Sequence, residues 1–263
     1  MQKKNKFRVV SVNKSRYILP SVLTLIGVCL GISSIKFALD GNFSFAILFI
    51  AVAAILDGLD GRVARMIKGT SEFGKELDSL TDFVSFGIAP AFIVYFWGLN
   101  EFGRIGWLIV LLFSVCCVLR LARFNLTKFE NEEAWKSNYF QGIPSPAGGC
   151  LILFPIMYEL SSFNIFFDAK IISPYLVVFV SFLLISKIPT FSFKKIVVQR
   201  HLTLFLLLGF GLFFVSIIQF TYETMVICSF VYVLLIPISV LSFRSKLKNA
   251  QKEIIQEDQR DIL

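Results

Sequence analysis

The best candidates for catalysis in this sequence are four aspartates that lie close together in an otherwise apolar chain. The segment is ILDGLDGRVARMIKGTSEFGKELDSLTDF, residues 55–83, and the aspartates are Asp57, Asp60, Asp78 and Asp82. At about 100° per residue, one helix places the first two acids on one side, and a second helix does the same for the last two. The connection MIKGTSEF is short enough to fold these helices into an antiparallel pair, so that the acidic sides can face each other.

Clustered carboxylates repel one another, and an ionised aspartate within a membrane span costs about 2.5 to 3.5 kcal/mol. Either some of the four are protonated or cations bind between them. Hard divalent ions with oxygen ligands, Mg²⁺ or Mn²⁺, fit a carboxylate cluster without Cys or His. Small residues leave room beside it for a phosphate-bearing ligand: Gly58, Gly61, Ala64, Gly69 and Gly74. Metal bridging of a diphosphate, with one acid left to take a proton, would serve phosphoryl transfer.

A competing interpretation needs no ligand. The acids would then only form ion pairs with the neighbouring cations Arg62, Arg65, Lys68 and Lys75.

The elements that must position these acids are membrane helices. Hydrophobic residues make up 56% of the 263, thirty of them Phe, which excludes an ordinary soluble domain. The sequence predicts an all-α polytopic membrane protein, since most of its apolar stretches reach the roughly 20 residues of a bilayer span. Eight such stretches run over residues 18–39, 43–65, 74–99, 105–123, 146–163, 171–187, 202–220 and 224–243.

Charge placement predicts the orientation of these spans. With the N-terminus in the cytoplasm, all 26 Lys and Arg lie on the cytoplasmic side except Lys36, Arg104 and Lys170. Both termini are therefore predicted to be cytoplasmic. The net charge is +8, and the basic residues flank the predicted membrane spans. This placement favours anionic lipid headgroups as partners and argues against nucleic acid. Five cysteines without a CxxC pair and a single His201 exclude an ordinary zinc site.

The acidic segment resembles the signature of a known family. DGLDGRVARMIKGTSEFGKELDSLTD fits DxxDGxxARx(8)GxxxDxxxD, the motif of the CDP-alcohol phosphotransferase family, at every fixed position. Those positions are Asp57, Asp60, Gly61, Ala64, Arg65, Gly74, Asp78 and Asp82. The stretches GTSEFGKELDSLTDFVSFGIAPA, RLARFN (120–125) and FQGIPSPAGG (140–149) are similar to the bacterial integral-membrane phosphatidylserine synthases of that family.

The resemblance implies a six-helix core around a cytoplasm-facing polar cavity, commonly in a homodimer. The expected domains are a cytoplasmic or interfacial segment 1–17, the membrane core 18–190, two additional transmembrane helices 191–243, and a cytoplasmic tail 244–263. The polar tail is expected to form a short surface helix. The localisation that follows is the bacterial cytoplasmic (inner) membrane, with the active site facing the cytoplasm.

The resemblance also implies a role for each residue of the motif. Asp57, Asp60 and Asp78 would hold the divalent metal, and Asp82 would complete that site and act as the base. The residues expected to bind CDP-diacylglycerol are Asp60, Gly61, Ala64, Arg65 and Gly74. The implied reaction is attack of the L-serine hydroxyl on the lipid-side phosphorus of CDP-diacylglycerol, with CMP leaving.

The acceptor pocket is less defined by the sequence. Arg120 and Arg123 lie at the cytoplasmic end of the fourth span and could grip the serine carboxylate, although cations at this end also follow from topology alone. In FQGIPSPAGG, Pro144 and Pro146 could start span five and Gly148 and Gly149 could allow tight helix packing, or the stretch could contact substrate.

Two other functions remain open at this point. A member of the same family could use glycerol 3-phosphate or inositol phosphate as the acceptor, but these carry a phosphate and would need more cations. A cation transporter would also place acids in the membrane. Against the transporter, the acids cluster at one end of the membrane and no broken-helix pair recurs in a second half of the chain.

Overall fold

The computed structural model describes residues 18–67, 71–126, 139–163, 167–191 and 203–261. The α-helices of this part of the chain are α1 Ile18–Leu39, α2 Phe43–Met66, α3 Glu72–Asp82, α4 Ala89–Trp97, α5 Gly103–Leu126, α6 Ser145–Ile152, α7 Phe154–Leu160, α8 Ala169–Ile185, α9 Thr203–Gln219 and α10 Thr221–Asp261. A π-helical turn, Phe83–Ile88, joins α3 to α4, and a short 3₁₀ turn, Leu99–Phe102, precedes α5.

Five of the helical segments are long and apolar enough to cross a membrane: 19–39, 43–66, 72–97, 99–126 and 221–247. Two shorter apolar helices cover residues 169–185 and 207–219. Large apolar side chains on these segments stay exposed, as Leu25, Leu111 and Leu234 illustrate. Because such surfaces are stable only in lipid, the protein is an all-α integral membrane protein with several spans, as the sequence predicts.

The predicted fifth span, 146–163, is not one helix. It divides into α6 and α7 at Leu153, and Pro155 occupies the first turn of α7. A proline has no backbone N–H to continue the helical hydrogen bonding and its ring clashes with the preceding turn, which explains the break.

The stretch FQGIPSPAGG contains the start of α6. Pro144 caps this helix and Pro146 lies in its first turn. A Cβ on Gly149 would lie 2.9 Å from the carbonyl oxygen of Phe86, and one on Gly148 would lie 2.9 Å from the Leu184 side chain. The two glycines therefore permit close helix packing.

A small antiparallel ribbon, which the sequence does not predict, ties two loops together at one end of the bundle. β1 (Tyr139–Gln141) pairs with β2 (Pro189–Phe191), with Phe140 opposite Thr190. Gly142 follows β1 with a φ of +79°, and its N–H donates to the carbonyl of Ile188 at 2.8 Å. Strands of three residues are too short to show an alternating pattern, which is why the sequence gives no sign of them.

The last helix is longer than the span predicted at 224–243. α10 is continuous through residue 261, so the predicted separate tail helix is instead its extension. α10 also packs against the rest of the bundle. Glu223 accepts hydrogen bonds from Ser162, from Oγ at 2.8 Å and from N at 3.2 Å, and the hydroxyls of Tyr139 and Ser242 lie 2.9 Å apart.

Candidate active site

Two neighbouring helices bring three of the four aspartates together. Asp57 and Asp60 lie in the second half of α2, and Asp78 lies in the second half of α3. Each contributes a carboxylate oxygen to a group in which these atoms lie within 4.8 Å of one another. Ser71 caps α3 by accepting a hydrogen bond from Gly74 N at 3.0 Å, which sets where α3 starts after the turn.

Asp82 lies one turn beyond Asp78 and is not part of this three-carboxylate group. Its carboxylate approaches Asp57, and its Oδ2 accepts a hydrogen bond from Ser145 Oγ at 3.4 Å. Its Oδ1 is buried without a hydrogen-bond partner among the described residues. Asp82 thus lies between the three other acids and the start of α6.

A cleft of about 260 Å³ opens beside the acids. Its lining comes from α1, α2 and α3: Pro20, Ser21, Thr24, Asp60, Gly61, Ala64, Arg65, Ser71, Gly74, Lys75 and Asp78. All five residues predicted to bind CDP-diacylglycerol are in this set. A Cβ on Gly61 would meet no protein atom within 4 Å, whereas one on Gly74 would lie 3.1 Å from Ser71 Oγ. Gly61 therefore borders free space, and a side chain at Gly74 would crowd the cap of α3.

Ion pairs with the described cations Arg62, Arg65 and Lys75 do not explain the acids. Within the described residues, Lys75 pairs with Glu72 at 2.8 Å, and no ion pair joins any of the four aspartates to Arg62, Arg65 or Lys75. Lys68 lies outside the described residues. Carboxylates grouped in this way, with no Cys or His among them, form a donor set that fits Mg²⁺ or Mn²⁺. The residues that would hold such an ion are Asp57, Asp60, Asp78 and Asp82.

Thr24 of α1 is a site residue that the sequence does not reveal. Its hydroxyl lies 2.7 Å from Asp60 Oδ2 and 3.0 Å from the carbonyl oxygen of Pro20. A threonine in a membrane helix commonly bonds to the carbonyl four residues earlier, so that Thr24 has no distinguishing signal in the sequence. The contact with Asp60 appears only once α1 packs on α2.

The two arginines proposed for serine binding have different surroundings. Arg120 is 8% exposed, donates through Nη1 to Ser145 Oγ, and interacts electrostatically with Asp82. Arg123 donates to three backbone carbonyls: Ile185 at 2.7 Å, Ser186 at 3.1 Å and Gln141 at 3.2 Å. The structure therefore brings Arg120 to the acids, while Arg123 joins the end of α8 to β1. Ser145, between Arg120 and Asp82, was not predicted.

Comparison with known proteins shows the family of the chain. The sequence profile described as CDP-alcohol phosphatidyltransferase matches residues 17–237. These features define an integral-membrane enzyme, and the chain belongs to the CDP-alcohol phosphatidyltransferase family of phosphotransferases.

Several bacterial relatives carry the name CDP-diacylglycerol–serine O-phosphatidyltransferase. The chain is 37% identical to the one from Mycobacterium leprae over 224 residues, which are 85% of this chain and 74% of the relative. It is 36% identical to the one from Helicobacter pylori over 202 residues, or 77% of this chain and 81% of the relative. With the one from Mycobacterium tuberculosis it shares 48% identity over 132 residues, half of this chain and 46% of the relative.

Proposed function

We propose that the protein transfers the phosphatidyl group of CDP-diacylglycerol to the hydroxyl of L-serine and releases CMP. The observation that carries this proposal is the convergence of Asp57, Asp60 and Asp78 beside a cleft that also presents Arg65. Family membership supports the CDP-linked donor. The names of the relatives from M. leprae and H. pylori support serine as the acceptor.

The four aspartates would hold the divalent ion, Mg²⁺ or Mn²⁺. When bound, such an ion offsets the negative charge of the diphosphate. The cleft would take the nucleotide end of the donor, with Gly61 and Ala64 allowing close approach and Arg65 available to the phosphates.

The chain's own contribution to the chemical step is a proton acceptor. A serine hydroxyl is a poor nucleophile at neutral pH, so its proton must leave as its oxygen bonds to the lipid-side phosphorus and the bond from phosphorus to the CMP oxygen breaks. Asp82 is suited to accept this proton because its Oδ1 is buried and has no hydrogen-bond partner in the part of the chain that the structure describes. Arg120, which lies near Asp82, would bind the serine carboxylate.

The placement in the membrane follows from charge. Cytoplasmic termini, a cytoplasm-facing site and residence in the bacterial inner membrane are part of this proposal, since the acids lie at the same end of the helices as Arg62, Arg65 and Lys75. We also propose that the chain consists of a core of residues 18–190, two added spans and a tail. It would assemble as a homodimer.

One assay tests the proposed reaction. Membranes containing the protein receive CDP-dioleoylglycerol, Mn²⁺ and an equal mixture of serine, glycerol 3-phosphate and inositol phosphate, each labelled differently. We expect serine in the lipid product and one CMP released for each lipid formed. Label from one of the phosphate-bearing acceptors would instead assign that acceptor, and ion flux without CMP would assign a transporter.

A further inference from the structure

Tyr232 on α10 brings a second unpartnered polar atom towards the acids. Its phenol oxygen is buried and has no hydrogen-bond partner among the described residues. Thr190 of β2 is close by, but its hydroxyl donates a hydrogen bond to the carbonyl of Gly142 at 2.7 Å. It does not form a hydrogen bond of acceptable geometry with the phenol. Buried hydroxyls without partners are uncommon in native proteins, so that this one is available to a ligand.

Arg120 is the neighbour that links this phenol to the proposed site. Its guanidinium interacts electrostatically with both Tyr232 and Asp82. A guanidinium has five N–H donors, and the described residues accept from only one Arg120 nitrogen, through Ser145. Asp82 Oδ1 is also unpartnered. Arg120 and Tyr232, which have unused donors, and Asp82, which has an unused acceptor, are thus linked through the Arg120 guanidinium.

This arrangement complements a small molecule with a carboxylate at one end and a hydroxyl at the other. A carboxylate only accepts hydrogen bonds, which matches the guanidinium and the phenol, and an alcohol can donate to Asp82. We propose that the Tyr232 hydroxyl donates a hydrogen bond to the carboxylate of the acceptor serine and thereby selects for that carboxylate. This inference rests on the proposed serine transfer and adds to it a specificity residue outside the family motif.

The helix that carries Tyr232 is held in place on both sides of it. Glu223 is hydrogen-bonded to Ser162, and Ser242 is hydrogen-bonded to Tyr139. The Tyr139 ring also packs edge-on against Phe243, with the ring centroids 5.2 Å apart. The two anchoring positions on α10 are about 28 Å apart at 1.5 Å per residue, a distance close to the thickness of the hydrocarbon core. The contacts of α10 with the rest of the bundle therefore fix the position of Tyr232.

The test is Tyr232→Phe, which removes only the hydroxyl, compared with Tyr222→Phe on the same helix. We expect the KM for serine to rise about tenfold or more in Tyr232→Phe, as for loss of a hydrogen bond to a charged group. The KM for CDP-dioleoylglycerol should change less than about twofold in both variants. A serine KM that stays within about twofold of the wild type in Tyr232→Phe would overturn the inference.

Serinol, in which a CH₂OH group replaces the carboxylate of serine, separates specificity from a general disturbance of the pocket. As a competitor of labelled serine, it should have nearly the same inhibition constant in the wild type and in Tyr232→Phe. An equal rise for serine and serinol would show a packing role and would also overturn the inference. Both constants are independent of how much of the variant folds.

The proposed function and this inference fail in different ways. If the wild type forms no phosphatidylserine, serine transfer itself is wrong. If the wild type forms it and Tyr232→Phe binds serine as well as the wild type does, only the role of Tyr232 is wrong.

Discussion

The two oxygens of Asp82 have different surroundings, and this difference distinguishes it from the other acids. Oδ2 is bonded to Ser145, whereas Oδ1 is buried and unpartnered. The other three carboxylates form the tighter group. The spacing of the motif predicts that all four acids face one another, but it does not predict that a serine from α6 reaches Asp82, because that contact joins residues far apart in the chain.

Asp78 is the residue through which the ion-binding role can be tested most directly. Asp78→Asn keeps the size of the side chain and removes its charge, so that turnover should fall more than about 100-fold while the protein remains folded. The measurement is CMP release as Mn²⁺ is titrated. Asp40→Asn, in the exposed Lys36–Asp40 pair far from the acids, should match the wild type. Full activity in Asp78→Asn would remove this acid from the proposed metal site.

Thr24 is expected to act on the same site through Asp60. Thr24→Val removes the hydroxyl that lies 2.7 Å from Asp60 Oδ2, which leaves that carboxylate less well oriented. Loss of such a supporting contact lowers metal affinity by about 10- to 100-fold. The Mn²⁺ concentration for half-maximal activity should therefore rise in Thr24→Val and stay near the wild-type value in Thr24→Ser. Equal Mn²⁺ dependence of the two variants would contradict this role.

Arg123 is expected to position the loops rather than bind serine. Arg123→Ala removes the donors to three backbone carbonyls. Because a hydrogen bond to a charged group contributes about 1.5 to 3 kcal/mol to stability, the melting temperature should drop by several degrees. The serine KM should change less in Arg123→Ala than in Arg120→Lys. An unchanged melting temperature together with a higher serine KM in Arg123→Ala would return this arginine to the acceptor pocket.

The elements that hold the site show where sequence patterns suffice and where they do not. The length of the apolar segments and the capping residue Ser71 define α2 and α3. The sequence therefore predicts that the acidic sides of these two helices face each other. The π-helical turn after Asp82 has no sequence signal, because it depends on how the segment packs between α1 and α5. Such turns are frequent at functional sites, and here the turn follows directly after the proposed base.

Gly31 of α1 permits the close approach of this π-helical turn. A Cβ at this position would lie 2.8 Å from Ser85 Oγ and 2.9 Å from Ser85 Cα. Because the second atom belongs to the backbone, Gly31→Ala must move α1, and we expect a destabilisation of about 1 to 3 kcal/mol. Thermal unfolding in detergent measures it. Gly209→Ala, whose Cβ would meet nothing within 4 Å, is the matched control, and an equal melting temperature for the two variants would contradict the close contact.

At the scale of the whole molecule, hydropathy predicts an all-α membrane protein with several apolar helices, but it does not predict how the last of them joins the bundle. Glu223 and Ser242 fix α10 against residues that precede it by many positions in the chain. No periodic pattern encodes such pairings. Tyr232 could therefore not be recognised as a site residue from the sequence, where it is one aromatic among many apolar neighbours.

The orientation of the bundle gives a prediction of its own. In a variant without its native cysteines, Asp40→Cys in the α1–α2 turn should react with a membrane-impermeant maleimide added to intact spheroplasts. Glu72→Cys, at the start of α3, should react only after the membrane is opened. This follows from the excess of cations at the acidic end of the helices. The reverse labelling pattern would place the active site on the outer side.

The uninterrupted length of α10 has a mechanical consequence. Its 41 residues rise about 60 Å, roughly twice what the hydrocarbon core of a bilayer requires. Beyond Leu247, where the apolar portion of the segment ends, the helix continues for about 21 Å. This extension is continuous with the apolar portion of the helix that carries Tyr232, so that a protein bound to the extension would be joined to the membrane interior by a single helix.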